Sequence, residues 1–264
     1  MAQLNIDGIN LAFDDHGSGR PVILLHGYPF NRTLWDSQVA ALKDTFRVIT
    51  PDLRGFGESE TSAEPVTMTR MAQDIARLMD ALDIQRPTIG GLSMGGYVVL
   101  AFYKQFPERV GALVLADTRP HPDTEEGKQL RARQREQILR DGMAETAHSM
   151  LPKLLTPETI STRPDLVKRI QDMIMGTKPA GAAAALVAMA GREDQTELLA
   201  KITVPTLIVV GREDPITSVQ DSQLMHERIA HSRLVILEDA AHVSNLEQVD
   251  SFNGVLKSFL SKLN

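Results

Sequence analysis

The sequence predicts an α/β protein built on a mostly parallel sheet, and three observations carry that prediction. Short continuous Val/Ile/Leu runs alternate with helical stretches along most of the chain, the pattern of strands buried on both faces. The opening segment LNIDGINLAFDDHG alternates apolar and polar residues about Asp7-Gly8, a hairpin signal. From about Arg119 to Leu199 the strand signal vanishes and only helix-like segments remain.

After the hairpin, PVILLHG (21–27) predicts a strand leading to a helix near 33–43. FRVITPD (46–52) predicts the next strand, followed by a helix over 67–83 with Thr67 as its cap. PTIGGLS (87–93) leads to a helix from Met94 to about Gln105, and VGALVLADT (110–118) reads as a fourth buried strand. The helical stretch that follows includes KQLRARQREQILRDG and AAAALVAMA. Alternation resumes with PTLIVVG (205–211), a helix near 218–230, RLVILEDAAH (233–242) and a last helix near 246–261. The chain therefore divides into a core of residues 1–118 and 200–264 and a helical cap insertion of residues 119–199. Such a cap is expected over the strand ends, where ligands bind in open α/β sheets.

Composition narrows the function classes. The chain has 264 residues, is 42% hydrophobic and carries a formal net charge of −6, which argues against a nucleic-acid partner. Its lack of cysteine removes disulfides, thiolate metal sites and a cysteine nucleophile. The first residues show no basic segment followed by an apolar one, and no apolar run reaches the roughly 18 residues that span a bilayer. A cytoplasmic protein, monomeric or a small homo-oligomer, without a membrane partner is expected.

The chemistry centres on IGGLSMGGYVVLAFY (89–103), where one serine lies among four glycines between a predicted strand and a predicted helix. Gly91-Leu92-Ser93-Met94-Gly95 matches the G-x-S-x-G turn that lifts a serine hydroxyl to the top of a sheet, its glycines permitting the sharp bend. Ser93 is the candidate nucleophile. Among the seven histidines, His242 sits in a loop after the last strand and is the candidate base. Asp214, just beyond the strand 205–211, is the candidate orienting acid; Asp117 also follows a strand and competes with it, with Glu213 weaker. Asp194, in the earlier copy of the tetrapeptide GRED (191–194), has no strand before it and reads as a helix cap. An oxyanion hole needs two backbone N–H groups, and Met94 and Tyr28 are placed to supply them. His26 reads as a residue that holds its loop by hydrogen bonds.

HGYP (26–29), PDLRGFGES (51–59), GLSMGG (91–96), GREDPIT (211–217) and AAHVSNLEQ (240–248) together resemble the α/β-hydrolase family, in the right order across nearly the whole chain. The sequence is most similar to small cap-bearing bacterial carboxylesterases near the 3-oxoadipate enol-lactonases and cofactor-free haloperoxidases. The resemblance implies the α/β-hydrolase fold, a triad of Ser93, Asp214 and His242, and an oxyanion hole from the Tyr28 and Met94 amides. Asp52 and Arg54 then brace a loop. One departure is that Val243-Ser244-Asn245 follows the histidine where many relatives have an early proline.

A serine at this turn implies acyl transfer, whereas the dehalogenases and epoxide hydrolases of this fold use aspartate there. No metal-ligand spacing and no dinucleotide-binding G-x-G-x-x-G are present, so neither metal nor cofactor is expected. The expected substrate is a short-chain carboxylic ester, in a pocket lined by Gly27, Tyr28, Phe30, Met94 and Val243, with Met150, Leu151 and Leu154 from the insertion either completing it or forming the insertion's own core. Enol-lactone hydrolysis is the alternative and requires a cation in the pocket. Arg119, Arg131, Arg133 and Arg135 are available, although a basic helix face usually lies in solvent. A receptor role on the same fold is a further alternative.

Overall fold

The computed structural model describes residues 2–61 and 65–263. Its strands are β1 (Ala2–Ile6), β2 (Ile9–His16), β3 (Arg20–Leu25), β4 (Phe46–Pro51), β5 (Thr88–Leu92), β6 (Ala112–Ala116), β7 (Thr206–Gly211) and β8 (Ser232–Leu237). They form one sheet in the order β1-β2-β4-β3-β5-β6-β7-β8. The β1–β2 and β2–β4 pairs are antiparallel and the remaining pairs are parallel. The first hairpin turns where the sequence predicts, with φ of 47° at Asp7 and 84° at Gly8, the positive pair that a tight hairpin requires. β5, β6 and β7 are buried along their whole length, so both faces of the sheet's centre are covered.

The helices are α1 (Asp36–Leu42), α2 (Met68–Ala81), α3 (Met94–Gln105), α4 (Glu125–Asp141), α5 (Ala144–Leu154), α6 (Pro157–Thr162), α7 (Pro164–Met175), α8 (Pro179–Ala190), α9 (Thr196–Leu199), α10 (Val219–Arg228), α11 (Ser244–Glu247) and α12 (Val249–Leu260). Thr67 caps α2 by accepting the Arg70 amide at 3.0 Å. Two helices are shorter than the periodicity predicts. Residues 32–35 form a separate 3₁₀ turn ahead of α1, and the last helix breaks at Gln248 (φ −114°, ψ 58°). The break leaves α11 as a single turn with all four residues buried, each committed elsewhere than to a helix face.

Strand order sets the location of the site. β4 lies to one side of β3 and β5 to the other, so the direction of sheet growth reverses between them; crevices form at such a switch point. The register pairs Leu25 with Gly91 and Leu92 with Ala116, which brings the loops after β3, β5 and β6 to one edge. The segment α4–α8 lies against that edge. Thr177 Oγ1 donates to the Pro29 carbonyl after β3, Lys178 Nζ to the Ser59 carbonyl after β4, and the Val243 amide after β8 to the Leu154 carbonyl. Among the described residues no single helix is long and apolar enough to cross a membrane.

The loop after β4 is held as its sequence suggests. Asp52 accepts the Arg32 and Glu58 amides at 2.7 and 2.9 Å. Arg54 forms a two-pronged pair with Asp74 of α2 at 2.8 and 2.6 Å, both side chains being almost fully buried. Removing one partner of such a pair strands a buried charge. Asp74→Ala is therefore expected to cost about 3–5 kcal/mol in chemical denaturation, while Arg54→Met/Asp74→Leu recovers much of the loss. Equal loss in the single and double variants would place the cost in packing rather than in the orphaned guanidinium.

Candidate active site

Ser93 follows β5 directly and caps α3, with φ 55° and ψ −113°. This left-handed conformation on a non-glycine residue is strained and persists only where the surroundings over-determine it. Here the backbone is fixed by three hydrogen bonds: Ser93 N–H to Ala116 O at 2.9 Å, Thr118 Oγ1 to Ser93 O at 2.8 Å, and Tyr97 N–H to Ser93 O at 3.2 Å. The surrounding glycines serve a purpose different from the backbone bending their sequence suggests. None of Gly90, Gly91, Gly95 and Gly96 has a positive φ. Instead, a Cβ on Gly91 would strike the Gly95 backbone, one on Gly95 the Leu25 carbonyl, and one on Gly96 the Thr118 side chain. The strain sits on the serine itself, and the glycines let α3 approach β5 and β3.

His242 and Asp214 meet directly, Nδ1 lying 2.8 Å from Asp214 Oδ2, with both side chains buried. The carboxylate is further held by Thr217 Oγ1 at 2.6 Å and by the Ile216 and Thr217 amides at 2.8 and 3.0 Å. Burial works to raise the Asp214 pKa, but the His242 charge and the hydrogen bonds from His242 and Thr217 outweigh it and hold the carboxyl below its ordinary value. Thr217 was not foreseen from sequence. Its signal is the D-P-I-T spacing, in which an aspartate accepts from residues two and three positions on.

Asp117, the competing acid, is occupied otherwise. It is fully buried and accepts the Gly211 amide at 2.9 Å and the Ser244 hydroxyl at 2.6 Å. It thereby joins three parts of the site: the start of the Asp214 loop, the segment two residues beyond His242, and, through its neighbour Thr118, the Ser93 carbonyl. The structure thus brings Asp214 and His242 into contact and links their loops to the Ser93 turn through this chain of bonds. The hydrogen bonds that fix Ser93 among the described residues are those of its backbone. Ser244 was likewise not foreseen.

The loop after β3 lies against the turn. A Cβ on Gly27 would come within 3.3 Å of Ser93 Cβ and 3.0 Å of the Leu92 carbonyl, so Tyr28 begins beside Ser93. Among the described residues neither the Tyr28 nor the Met94 amide donates to a backbone acceptor, Met94 being the first residue of α3. His26 holds this loop: its Nε2 accepts the Leu53 amide at 2.9 Å, which leaves Nδ1 to donate to the Gly27 carbonyl at 2.9 Å. Burial lowers its pKa, against the pull of Asp52, consistent with a neutral ring. Phe30, Leu154 and Val243 are fully buried in the hydrophobic core in this structure, whereas Met150 and Leu151 pack against it partly buried. Asp194 accepts the Thr196 amide at 2.8 Å at the start of α9. Among the described residues no three His, Asp or Glu side chains are grouped to hold a metal ion.

The arginines divide. Arg133 and Arg135 are exposed, as a solvated helix face requires. Arg119 and Arg131 instead turn inward onto the buried carboxylate of Asp123. The charge of Arg131 reaches the Tyr28 phenol, whose pKa burial raises and Arg131 lowers.

A strained serine at a strand-to-helix turn, with a His–Asp pair from loops after later strands, defines the α/β hydrolases. The chain matches the alpha/beta hydrolase fold family over residues 20–249 and belongs to it. It is 32% identical over 235 residues to 3-oxoadipate enol-lactonase 2 of Acinetobacter baylyi, spanning 89% of this chain and 86% of that protein. Its structure is similar to a thermophilic esterase from Thermogutta terrifontis solved with malate bound (TM-score 0.96, 39% identity, covering 100% of this chain and 99% of that one). It is also similar to the enol-lactonase from Burkholderia xenovorans (TM-score 0.92, 29% identity, covering 99% of this chain and 100% of that one).

The two buried carboxyls are pushed in opposite directions. Burial and the neighbouring Asp214 charge raise Asp117 well above the usual carboxylate range, against hydrogen bonds from Ser244 and Gly211. An acid whose folded pKa is raised stabilises the fold fully below its unfolded pKa of about 3.9 and loses that contribution as pH rises toward the folded value. Asp117→Asn, neutral at every pH, is therefore expected to gain stability relative to wild type between about pH 4 and pH 7, read as melting temperatures at both. A gap that stays constant or shrinks would show that the fold holds Asp117 ionised.

Proposed function

We propose that this chain is a serine carboxylesterase that hydrolyses short-chain carboxylic esters through an acyl-enzyme on Ser93. The observations that support the reading are the buried contact of 2.8 Å between His242 Nδ1 and Asp214, on the loops after β8 and β7, and the strained turn at Ser93. With Nδ1 held by the carboxylate, Nε2 is the nitrogen left to take the Ser93 proton as the hydroxyl attacks the ester carbonyl. The Tyr28 and Met94 amides receive the charge that develops on the carbonyl oxygen. Protonated His242 then returns the proton to the departing alcohol, and water activated by the same ring releases the acid. Asp214 keeps the tautomer and stabilises the imidazolium. The α4–α8 segment acts as a cap, its contacts with the loops after β3, β4 and β8 closing the site over a small ester. The protein is placed in the cytoplasm, as a monomer or small homo-oligomer.

A second reading, enol-lactone hydrolysis, is favoured by one observation. Arg131 faces inward toward Tyr28 rather than into solvent, supplying the cation that a carboxylate-bearing lactone requires. The 3-oxoadipate enol-lactonases among its relatives support the same alternative.

Steady-state hydrolysis of p-nitrophenyl acetate, butyrate and octanoate separates these readings, with a carboxylate-bearing enol-lactone assayed in parallel. Acetate or butyrate is expected to be preferred, with kcat falling by about 10³-fold or more in Ser93→Ala and by about 10⁴-fold in Asp214→Asn. A lactone rate far above every ester would move the assignment to the lactonase. Octanoate cleaved fastest would refute the size of the pocket, and single-turnover acylation without release would point to a receptor.

A further inference from the structure

A cavity of about 320 Å³ lies between the start of α2, the middle of α3 and the residues after α8, and no member of the Ser93–His242–Asp214 set lines it. Its polar walls are Thr67, Thr69, Tyr97, Arg119, Arg192 and Gln195. The acidic lining residue, Glu193, is exposed and paired with Lys104.

Two of these side chains, Arg192 and the partly exposed Arg119, each carry a buried Nε. Arg192, whose side chain is 4% exposed, spends its terminal nitrogens on Asp123 (3.0 Å), the Met189 carbonyl (2.8 Å) and the His121 carbonyl (2.9 Å). Its guanidinium stacks 4.2 Å from the centre of the Tyr97 ring. Arg119 likewise reaches Asp123 (2.8 Å) and the Ile216 carbonyl (3.4 Å). The Nε–H of each is buried and has no partner among the described residues. Asp123 is shared with Arg131 as well, so three guanidinium groups surround one carboxylate. Buried polar donors are ordinarily satisfied, and leaving a charged one unmade costs more than leaving a neutral one. Burial lowers the Arg192 pKa, with Asp123 offsetting part of it.

We infer that this cavity is a second binding site, separate from the catalytic residues, for a small organic carboxylate. A carboxylate brings the negative charge that three guanidinium groups sharing the single carboxylate of Asp123 leave unbalanced beside the cavity. Met68, Leu100, Ala101 and Ala188 complete the walls, so the ligand carries a short hydrocarbon part, which inorganic phosphate lacks. Tyr97 stands one helical turn beyond Ser93 and its amide holds the Ser93 carbonyl, so an occupant bears on the turn that carries the nucleophile. The binding claim stands without the esterase reading; only its kinetic consequence rests on that reading. The carboxylate belongs either to a free acid or to the far end of a substrate.

Titration calorimetry of the wild type, Arg119→Gln and Tyr97→Phe with succinate, acetate and inorganic phosphate tests the site at low salt. Arg119→Gln is chosen because Asp123 keeps Arg131 and Arg192. Succinate is expected to bind the wild type more tightly than phosphate, and at least ten-fold more weakly to Arg119→Gln. No succinate binding, or equal binding of phosphate and succinate in wild type and variant, overturns the proposal. Kinetics then separate the two sources. If KM for a p-nitrophenyl half-ester of a dicarboxylic acid rises in Arg119→Gln by more than KM for p-nitrophenyl acetate, the substrate supplies the carboxylate. If only added succinate changes turnover of the acetate ester, and Arg119→Gln removes that effect, the site takes a free acid. Succinate binding without turnover of any ester or lactone would sustain the site and refute the hydrolase reading, whereas turnover without binding would do the reverse.

Discussion

The close approach of α3 to the ends of β5 and β3 is the constraint on which the rest of the site depends. The helix starts immediately after the strand, with no loop between them, so the linking residue must take a conformation that few side chains tolerate. Ser93 takes it, and the absence of side chains at Gly91, Gly95 and Gly96 allows the surrounding backbone to close to contact. Bonds from β6 and from Thr118 then hold the turn. Because β3 and β5 are neighbours across the reversal of strand order, the same closeness brings the Gly27–Tyr28 backbone beside the serine.

Around that turn, polar side chains divide two tasks that a single carboxylate would perform poorly. Asp214 sits among donors that favour its charge and so orients the His242 ring. Asp117 is boxed in by burial and by the Asp214 charge, which push its pKa up, and it acts as a hub between the loops after β5, β7 and β8. Opposite environments for two nearby carboxyls are a recurring way of assigning them different roles. The geometry of His242 is thus set from both sides: by Asp214 through the ring, and by Asp117 through Ser244.

The helical segment is fastened to the same edge through backbone carbonyls of the loops it covers, at Pro29, Ser59, Leu246 and Glu247. Glu247 adds a further tie, accepting the Thr156 amide at 2.8 Å and the Ala241 amide at 2.6 Å, so a residue of α11 links the segment to the histidine loop. The short α11 is what allows this. A continuous last helix would have spread residues 244–247 around a cylinder, whereas one separate turn keeps all four buried and in reach of their partners.

Much of this was legible in the sequence, because the signals involved are local. The Asp7-Gly8 hairpin, the buried strands, the Thr67 cap and the serine turn each express preferences that operate within a few residues. The order of motifs along the chain then gave the family and a short list for the site. What the sequence ranked but did not settle was the partner of His242, with Asp214 ahead of Asp117, and the direction of Arg119, Arg131, Arg133 and Arg135, with solvent ahead of the interior. Those choices rest on contacts between distant residues, such as Ser244 with Asp117 across 127 positions or Arg192 with the ring of Tyr97. A residue's chemistry sets which bonds it can make. Only the packed sheet decides which partners are near enough to make them, and how much water is left to compete.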